Sequence, residues 1–256
     1  MQFADANFQR DGFAFIPNLL THEYQNKLKS LVPEILKNAA QLEQKGEYLM
    51  FLQDDIPVLD KLFRAKSLLA KIKSATGLTG EIIKPLSIRI WNRCPGDCGT
   101  SWHQDARFTP SDSLAAFSLW VPLQDINSLN GPLMFIPGSH RQCLLKQPQL
   151  SNCSPTGVEG KNTIVASPMK YGDATVHDSW IVHGSAGNCS NTPRKALIIN
   201  WLFRPLELNK VPVLYGHLHP KEVNYVRAHN AKTLQKRIQI TGIGLSPTEW
   251  LEAIKA

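Results

Sequence analysis

A mainly β protein, a double-sheet jelly roll with helices packed on its outside, is what three features of this chain predict. From about residue 83 to 205, apolar residues fall in short runs rich in β-branched and aromatic side chains. Turn clusters punctuate these runs: Pro95-Gly96-Asp97, Asn130-Gly131-Pro132, Pro137-Gly138-Ser139, Tyr171-Gly172-Asp173 and Gly187-Asn188. Ahead of them the apolar spacing is helical, so helices and strands segregate along the chain instead of alternating as βα units. With 256 residues, 43% of them apolar, and no repeat, one domain over 1–256 is expected. Its parts are a helical N-terminal portion over about 18–80, a jelly-roll core over about 83–205 and a C-terminal extension over 206–256.

Taken in order, Asp11-Gly12 reads as a turn into a short strand over 13–17. Thr21 then serves as N-cap, with Glu23 in the first turn, of a helix running to about Lys45 that Pro33 can kink. A second helix over 58–75 carries Leu59, Leu62, Phe63, Leu69 and Ile72 on its apolar side, with Gly77 just past its end. Strands are expected over 83–91, 116–123, 133–137, 163–166, 174–177, 180–183 and 196–203. Ser246-Pro247-Thr248-Glu249 is a capping box with proline at the first helical position, which predicts a short C-terminal helix.

Composition narrows the function class. The formal charge of +7 is spread without blocks, which suits an anionic small molecule and lacks the clustered basic and aromatic face of a nucleic-acid binder. There is no basic-then-apolar leader and no run of eighteen apolar residues, so no membrane span is expected and a cytoplasmic setting is. Five cysteines (Cys94, Cys98, Cys143, Cys153, Cys189) make an odd set, which favours reduced thiols. Cys94 and Cys98 flank a turn but have no second pair to complete a structural zinc site. Nothing in the pattern specifies an oligomeric state.

The chemistry-bearing residues are Trp102-His103-Gln104-Asp105, the later His183-Gly184-Ser185, and Arg194 eleven residues beyond that histidine. Two positions apart on a strand, His103 and Asp105 point to one face. With His183 alongside, two imidazoles and a carboxylate form a facial set that leaves opposite positions open, as in non-haem Fe(II) oxygenases. Gly184 removes bulk where a ligand would approach. Arg194 adds a planar cation suited to a carboxylate, which suggests an iron enzyme with a dicarboxylate co-substrate. A rival trio of His177, Asp178 and His183 is disfavoured because adjacent strand residues face opposite sides. His140 belongs to a turn and caps loop carbonyls; His22, His217, His219 and His229 fall outside the expected strands.

On these residues, together with the string 129–140 (Leu129-Asn130-Gly131-Pro132 through Pro137-Gly138-Ser139-His140) and Gly172-Asp173, the chain resembles the phytanoyl-CoA dioxygenase-like (PhyH) family of Fe(II)/2-oxoglutarate-dependent oxygenases. The similarity runs from Phe8-Gln9-Arg10-Asp11-Gly12-Phe13 to about residue 205. It implies a cupin-like double-stranded β-helix core, iron held by His103, Asp105 and His183, and 2-oxoglutarate chelating that iron. It further implies that Arg194 and Ser185 hold the distal carboxylate of 2-oxoglutarate. By the same resemblance Trp120 stands beside the co-substrate, with a plain core tryptophan as the other reading. The implied reaction consumes O2 and 2-oxoglutarate, releases succinate and CO2 and hydroxylates a substrate. Halogenating relatives replace the carboxylate ligand, so the presence of Asp105 points to hydroxylation.

The substrate pattern is thinner. Arg107 would share the face of the metal ligands and meet an anionic group, or be a solvated charge at the strand end. Arg89 and Trp102 flank the site, and Asn92 is within reach of the proximal carboxylate of 2-oxoglutarate; each has a purely structural alternative. The expected substrate is a small polar or anionic metabolite. The competing class is a non-oxidative jelly roll, either a metal-dependent isomerase or a small-molecule or sugar-binding module.

Overall fold

The computed structural model describes residues 2–41, 48–49, 57–78, 85–105, 116–141 and 162–202. Ten strands are found among them: β1 (Phe13–Ile16), β2 (Tyr48–Leu49), β3 (Pro85–Arg93), β4 (Thr100–His103), β5 (Ala116–Pro122), β6 (Leu133–Phe135), β7 (Ile164–Val165), β8 (Ala174–Asp178), β9 (His183–Ser185) and β10 (Arg194–Leu202). They form a six-stranded sheet in the order β1-β8-β5-β10-β3-β2 and a four-stranded sheet in the order β4-β9-β6-β7. Every pairing is antiparallel. The helices are α1 (Phe8–Asp11), α2 (His22–Gln41), α3 (Pro57–Phe63) and α4 (Lys66–Thr76).

Strand alternation sorts the large sheet into two faces. Ile88, Ile90, Phe117, Leu119, Val121, Val176, Leu197, Ile199 and Trp201 point outward into one cluster with Leu28, Val32 and Ile35 of α2 and with Leu68 and Ile72 of α4. The 28, 32, 35 spacing is one helical stripe, and burying each such side chain stabilises the fold by roughly 1.5–3 kcal/mol. Phe13, Trp120, Ala196 and Ile198 point the other way, to meet Leu133 and Phe135 of the small sheet. Phe13 and Phe135 stack with ring centroids 4.3 Å apart. The jelly-roll interior is this second cluster, and the polar residues that interrupt it define the site.

Several local expectations change. The Tyr24 amide donates to the Thr21 hydroxyl at 3.4 Å, as an N-cap should, and α2 is described to Gln41; the rest of the expected helix, to about Lys45, lies outside the described residues. The single helix over 58–75 is two helices, α3 and α4, broken before Lys66. The reason is phase: at about 100° per residue, Leu68 lies nine positions and so about half a turn away from Leu59. A continuous helix would bury only one of them, whereas both are 1% exposed. Gly77 terminates α4 in the left-handed conformation at φ 67°, donating its N–H to the Lys73 carbonyl. The strand expected over 180–183 instead begins at His183; residues 179–182 form a turn in which Asp178 accepts from the Trp180 amide at 2.7 Å. The expected C-terminal helix and the extension over 206–256 lie outside the described residues.

Candidate metal centre

His103 ends β4 and His183 begins β9, and the two are direct partners across that antiparallel pair. Their ring centroids are therefore 4.2 Å apart. The backbones approach so closely that a Cβ on Gly184 would stand 2.7 Å from the Thr100 carbonyl oxygen. Gly184 is thus required by the neighbouring strand, where the sequence suggested room for a ligand. Asp105 is not on the strand with His103, as spacing implied; β4 stops at His103 and Asp105 lies in the following turn. What carries it to the same side is Gln104, buried and donating to the Trp180 carbonyl at 2.7 Å, which ties this turn to the β8–β9 turn.

The ligand atoms of His103, Asp105 and His183 all lie within 4.8 Å of one another. Asp105 Oδ1 is 3.6 Å from His103 Nε2 and 3.9 Å from His183 Nε2. Those separations exceed hydrogen-bond lengths, so the three atoms surround a point in space rather than bond to each other. Each histidine has its Nδ1 on a backbone carbonyl two residues earlier, Ser101 at 2.8 Å and Ile181 at 3.1 Å. A carbonyl only accepts, so Nδ1 carries the proton and Nε2 presents its lone pair to the centre. Burial, with the charges of His103 and His177, pushes the His183 pKa well below its ordinary value, which favours the neutral, ligating form. Burial opposes ionisation of Asp105, but its contacts with His103 and His177 and the nearby His183 more than offset this, and its pKa is held well below the carboxylate range.

His177, set aside in the sequence as part of a rival trio, stands beside the centre. It is 2% exposed, its Nε2 is 3.7 Å from Asp105 Oδ2, and its ring packs 4.5 Å from that of His183. The alternation argument against the rival holds, since His177 faces the interior while Asp178 is used in the turn. His140 lies in the short 3-10 turn Ser139–Arg141, as expected, but its buried Nδ1 has no hydrogen-bond partner among the described residues.

The second feature is Arg194, 2% exposed, whose Nε has no hydrogen-bond partner. Among the described residues no carboxylate forms an ion pair with it; Asp97 pairs instead with the neighbouring Arg93 at 2.7 Å. Burial, and then the charge of Arg93, lower the Arg194 pKa to about 10, which still leaves it a cation at neutral pH. Its guanidinium carbon lies 5.5 Å from the centre of the Trp120 ring. A buried, unpaired guanidinium costs several kcal/mol unless an anion completes it. A ligand carboxylate would do so, and the donor set of two imidazoles and one carboxylate fits ferrous iron. The residues present therefore fit both groups.

The remaining expected residues are placed less uniformly. The Ser185 hydroxyl accepts from the Thr100 amide at 2.9 Å and reaches the Thr100 hydroxyl at 3.2 Å, close to where Arg93 donates. Arg89 faces the interior and donates to the Asn200 side chain. Trp102 packs outside the small sheet with Ile136 and Val182, on the other side of β4 from His103. Asn92 shares the strand parity of Ile88 and Ile90, the helix-facing side, and its buried Oδ1 has no hydrogen-bond partner. These two placements take Trp102 and Asn92 away from the centre they were expected to flank. Arg107 lies outside the described residues. Cys98 is disulfide-bonded, while Cys94 and Cys189 are free and exposed, so reduced thiols throughout is not what the structure has. No helix among the described residues is long and apolar enough to cross a membrane.

Sequence reasoning set His177 aside and missed Ser118 and Asn200. The available signal was polarity out of place: Asn200 continues the interior-facing series Ala196, Ile198 of an otherwise apolar strand, and Ser118 is two positions before Trp120.

Residues 8–196 match the family model described as Phytanoyl-CoA dioxygenase (PhyH). The ectoine dioxygenase of Bordetella bronchiseptica is 26% identical over 260 residues, covering 86% of this chain and 82% of the relative. The crystal structure of EctD from S. alaskensis with bound Fe superposes with a TM-score of 0.64 at 22% identity, over 78% of this chain and 76% of that one. The non-heme alpha ketoglutarate dependent epimerase SnoN from nogalamycin biosynthesis has the same fold, at a TM-score of 0.58 and 21% identity over 84% and 88% of the two chains.

Proposed function

The chain belongs to the phytanoyl-CoA dioxygenase (PhyH) family, and on that premise we propose that it is an Fe(II)- and 2-oxoglutarate-dependent dioxygenase that hydroxylates a small polar or anionic metabolite. His103, Asp105 and His183 would hold the iron through their inward-facing atoms. Arg194 would grip the distal carboxylate of 2-oxoglutarate, with the Trp120 ring beneath the guanidinium and Ser185 nearby. When bound, iron and 2-oxoglutarate supply activation of O2 coupled to decarboxylation, which yields succinate and CO2.

The protein's own residues do the positioning. Carbonyl-bound Nδ1 atoms fix both imidazoles, so no ligand has to reorganise when the metal arrives. Phe135, Leu133 and Ile198 wall the interior with apolar surface and exclude water from it. The single observation that carries this reading is Arg194: a buried cation with no ion pair among the described residues, inside a jelly roll whose one group of metal-type donors among those residues is His103, Asp105 and His183. A non-oxidative isomerase or sugar-binding module leaves that guanidinium unexplained. The relative named for ectoine supports a small-molecule substrate. The proposed contact from Arg107 to an anionic group rests on its place two residues after Asp105.

Anaerobic addition of Fe(II) and 2-oxoglutarate to the purified chain should produce the weak visible charge-transfer band of the chelate. A metabolite screen following succinate release then identifies the substrate class. Absence of the band at saturating Fe(II) and 2-oxoglutarate would overturn the cofactor assignment, and a preference for acyl-CoA thioesters over small acids would overturn the substrate reading.

A further inference from the structure

Asp105 is the metal-type ligand with the weakest backbone support, since it lies past the end of β4 and outside the strand ladder. Its side chain is nevertheless tightly held. Ser118 Oγ donates to Asp105 Oδ2 at 2.5 Å, Asn200 Nδ2 donates to Ser118 Oγ at 2.6 Å, and Arg89 Nη2 donates to Asn200 Oδ1. The chain crosses the large sheet: Ser118 on β5 is directly opposite Asn200 on β10, and Arg89 on β3 is paired with Ile198, two residues before Asn200. Ser118 and Asn200 are 0% and 5% exposed. His177, opposite Ser118 on β8, closes the row beside the same carboxylate oxygen.

The direction of this chain has no alternative. Arginine only donates and an ionised carboxylate only accepts. Asn200 must therefore present its oxygen to Arg89 and its amide nitrogen to Ser118, which leaves the Ser118 proton for Asp105. All three bonds polarise one way, from the cation to Oδ2, and buried bonds so aligned reinforce each other. With Oδ2 occupied, Oδ1 is the atom turned toward His103 and His183.

We infer that Arg89, Asn200 and Ser118 are positioning residues that hold Asp105 with Oδ1 toward the metal and Oδ2 withheld from it, replacing the strand ladder that the ligand lacks. The inference rests on the metal reading above, and it gives Arg89 this role in place of the substrate contact its sequence position suggested. Outer partners of metal ligands typically shift metal affinity by about 10–100-fold.

The test is calorimetric titration of Co(II) into the ligand-free protein, with the visible band of bound Co(II) as a second readout and thermal unfolding as a check on folding. Ser118→Ala should weaken Co(II) binding about 10–100-fold and alter the band, while Ser118→Thr, which keeps the hydroxyl, stays near wild type. Asn200→Asp is the sharper variant. Nearly isosteric and still paired with Arg89, it turns an acceptor toward Ser118 and draws the hydroxyl proton away from Asp105. It should lose affinity as Ser118→Ala does while the fold is kept. Wild-type affinity and spectrum in both Ser118→Ala and Asn200→Asp would overturn the inference and leave the metal reading intact, as would Ser118→Thr losing as much as Ser118→Ala. A wild-type protein that binds no Co(II) or Fe(II) would overturn the metal reading, and this inference with it.

Discussion

Asp105, half-buried, and Arg194, fully buried, are charged residues of one interior, and the protein treats them in opposite ways. Asp105 is supplied with partners: Ser118 on one oxygen, two histidines around the other, and a neighbour, Gln104, that fastens its turn. Arg194 has a Trp120 face, a like-charged neighbour in Arg93 and the charge of Asp97, which is itself paired with Arg93, but no ion pair of its own among the described residues. Under the proposed function, the contrast separates a group finished by the fold from one left to be finished by a ligand. A metal ligand has to stand in place before the ion arrives, so its bonds are internal. A co-substrate anchor has to leave its bonding capacity open, so its burial is a standing cost until the anion comes.

The largest effect that would break this contrast is at the metal end. Asp105→Ala should abolish substrate-dependent succinate formation and weaken Fe(II) binding by more than about 100-fold, beyond the range of an outer-partner change. Metal titration and succinate assay check it, and wild-type turnover would remove Asp105 from the ligand set.

Next comes the open end. Arg194→Ala should raise the KM for 2-oxoglutarate about 10–100-fold, from loss of a charge-assisted contact of roughly 1.5–3 kcal/mol, with Fe(II) affinity unchanged. Equal losses in both affinities would mean that the two ends are not separable.

A smaller effect sharpens the comparison in the opposite direction. Arg194→Met removes a buried charge that has no ion pair among the described residues, so the ligand-free protein should unfold at the same or a higher temperature, by up to about 1–4 kcal/mol in stability. Thermal unfolding without and with 2-oxoglutarate measures this, because only wild type should gain from the co-substrate. A clear destabilisation of the ligand-free variant would show that Arg194 already has its partner.

Smallest is Trp120→Leu. Losing the ring under the guanidinium should weaken 2-oxoglutarate binding by a factor of a few, matching about 0.5–1 kcal/mol for such a contact, plus some loss of stability from repacking. No change in 2-oxoglutarate affinity would leave Trp120 as core alone.

Much of the fold was legible because strand period and turn chemistry are local. Phe13 to Ile16, the strands around Trp120 and Ile198, and the Gly77 helix end all follow from residues within a few positions of each other. Phase was also present in the sequence, since Leu59 and Leu68 are out of step on one helix, but only the need to bury both against the same sheet breaks the chain between α3 and α4. Spacing along one strand pointed to His103 with Asp105, yet the strand ends between them and the pairing is made by Gln104 reaching Trp180.

By itself, then, the sequence determined the alternation that separates an apolar helix-facing side from an interior, the residue types suited to a ferrous ion and a carboxylate, and the order in which they occur. Only the tertiary structure decided that His177, Ser118, Asn200 and Arg89 form a row under Asp105, and that Trp102 and Asn92 turn away from it. The reason is register. Which residues of four separate strands stand opposite one another is set by how whole sheets pair and pack, and a shift of one position would send every one of these side chains to the other face.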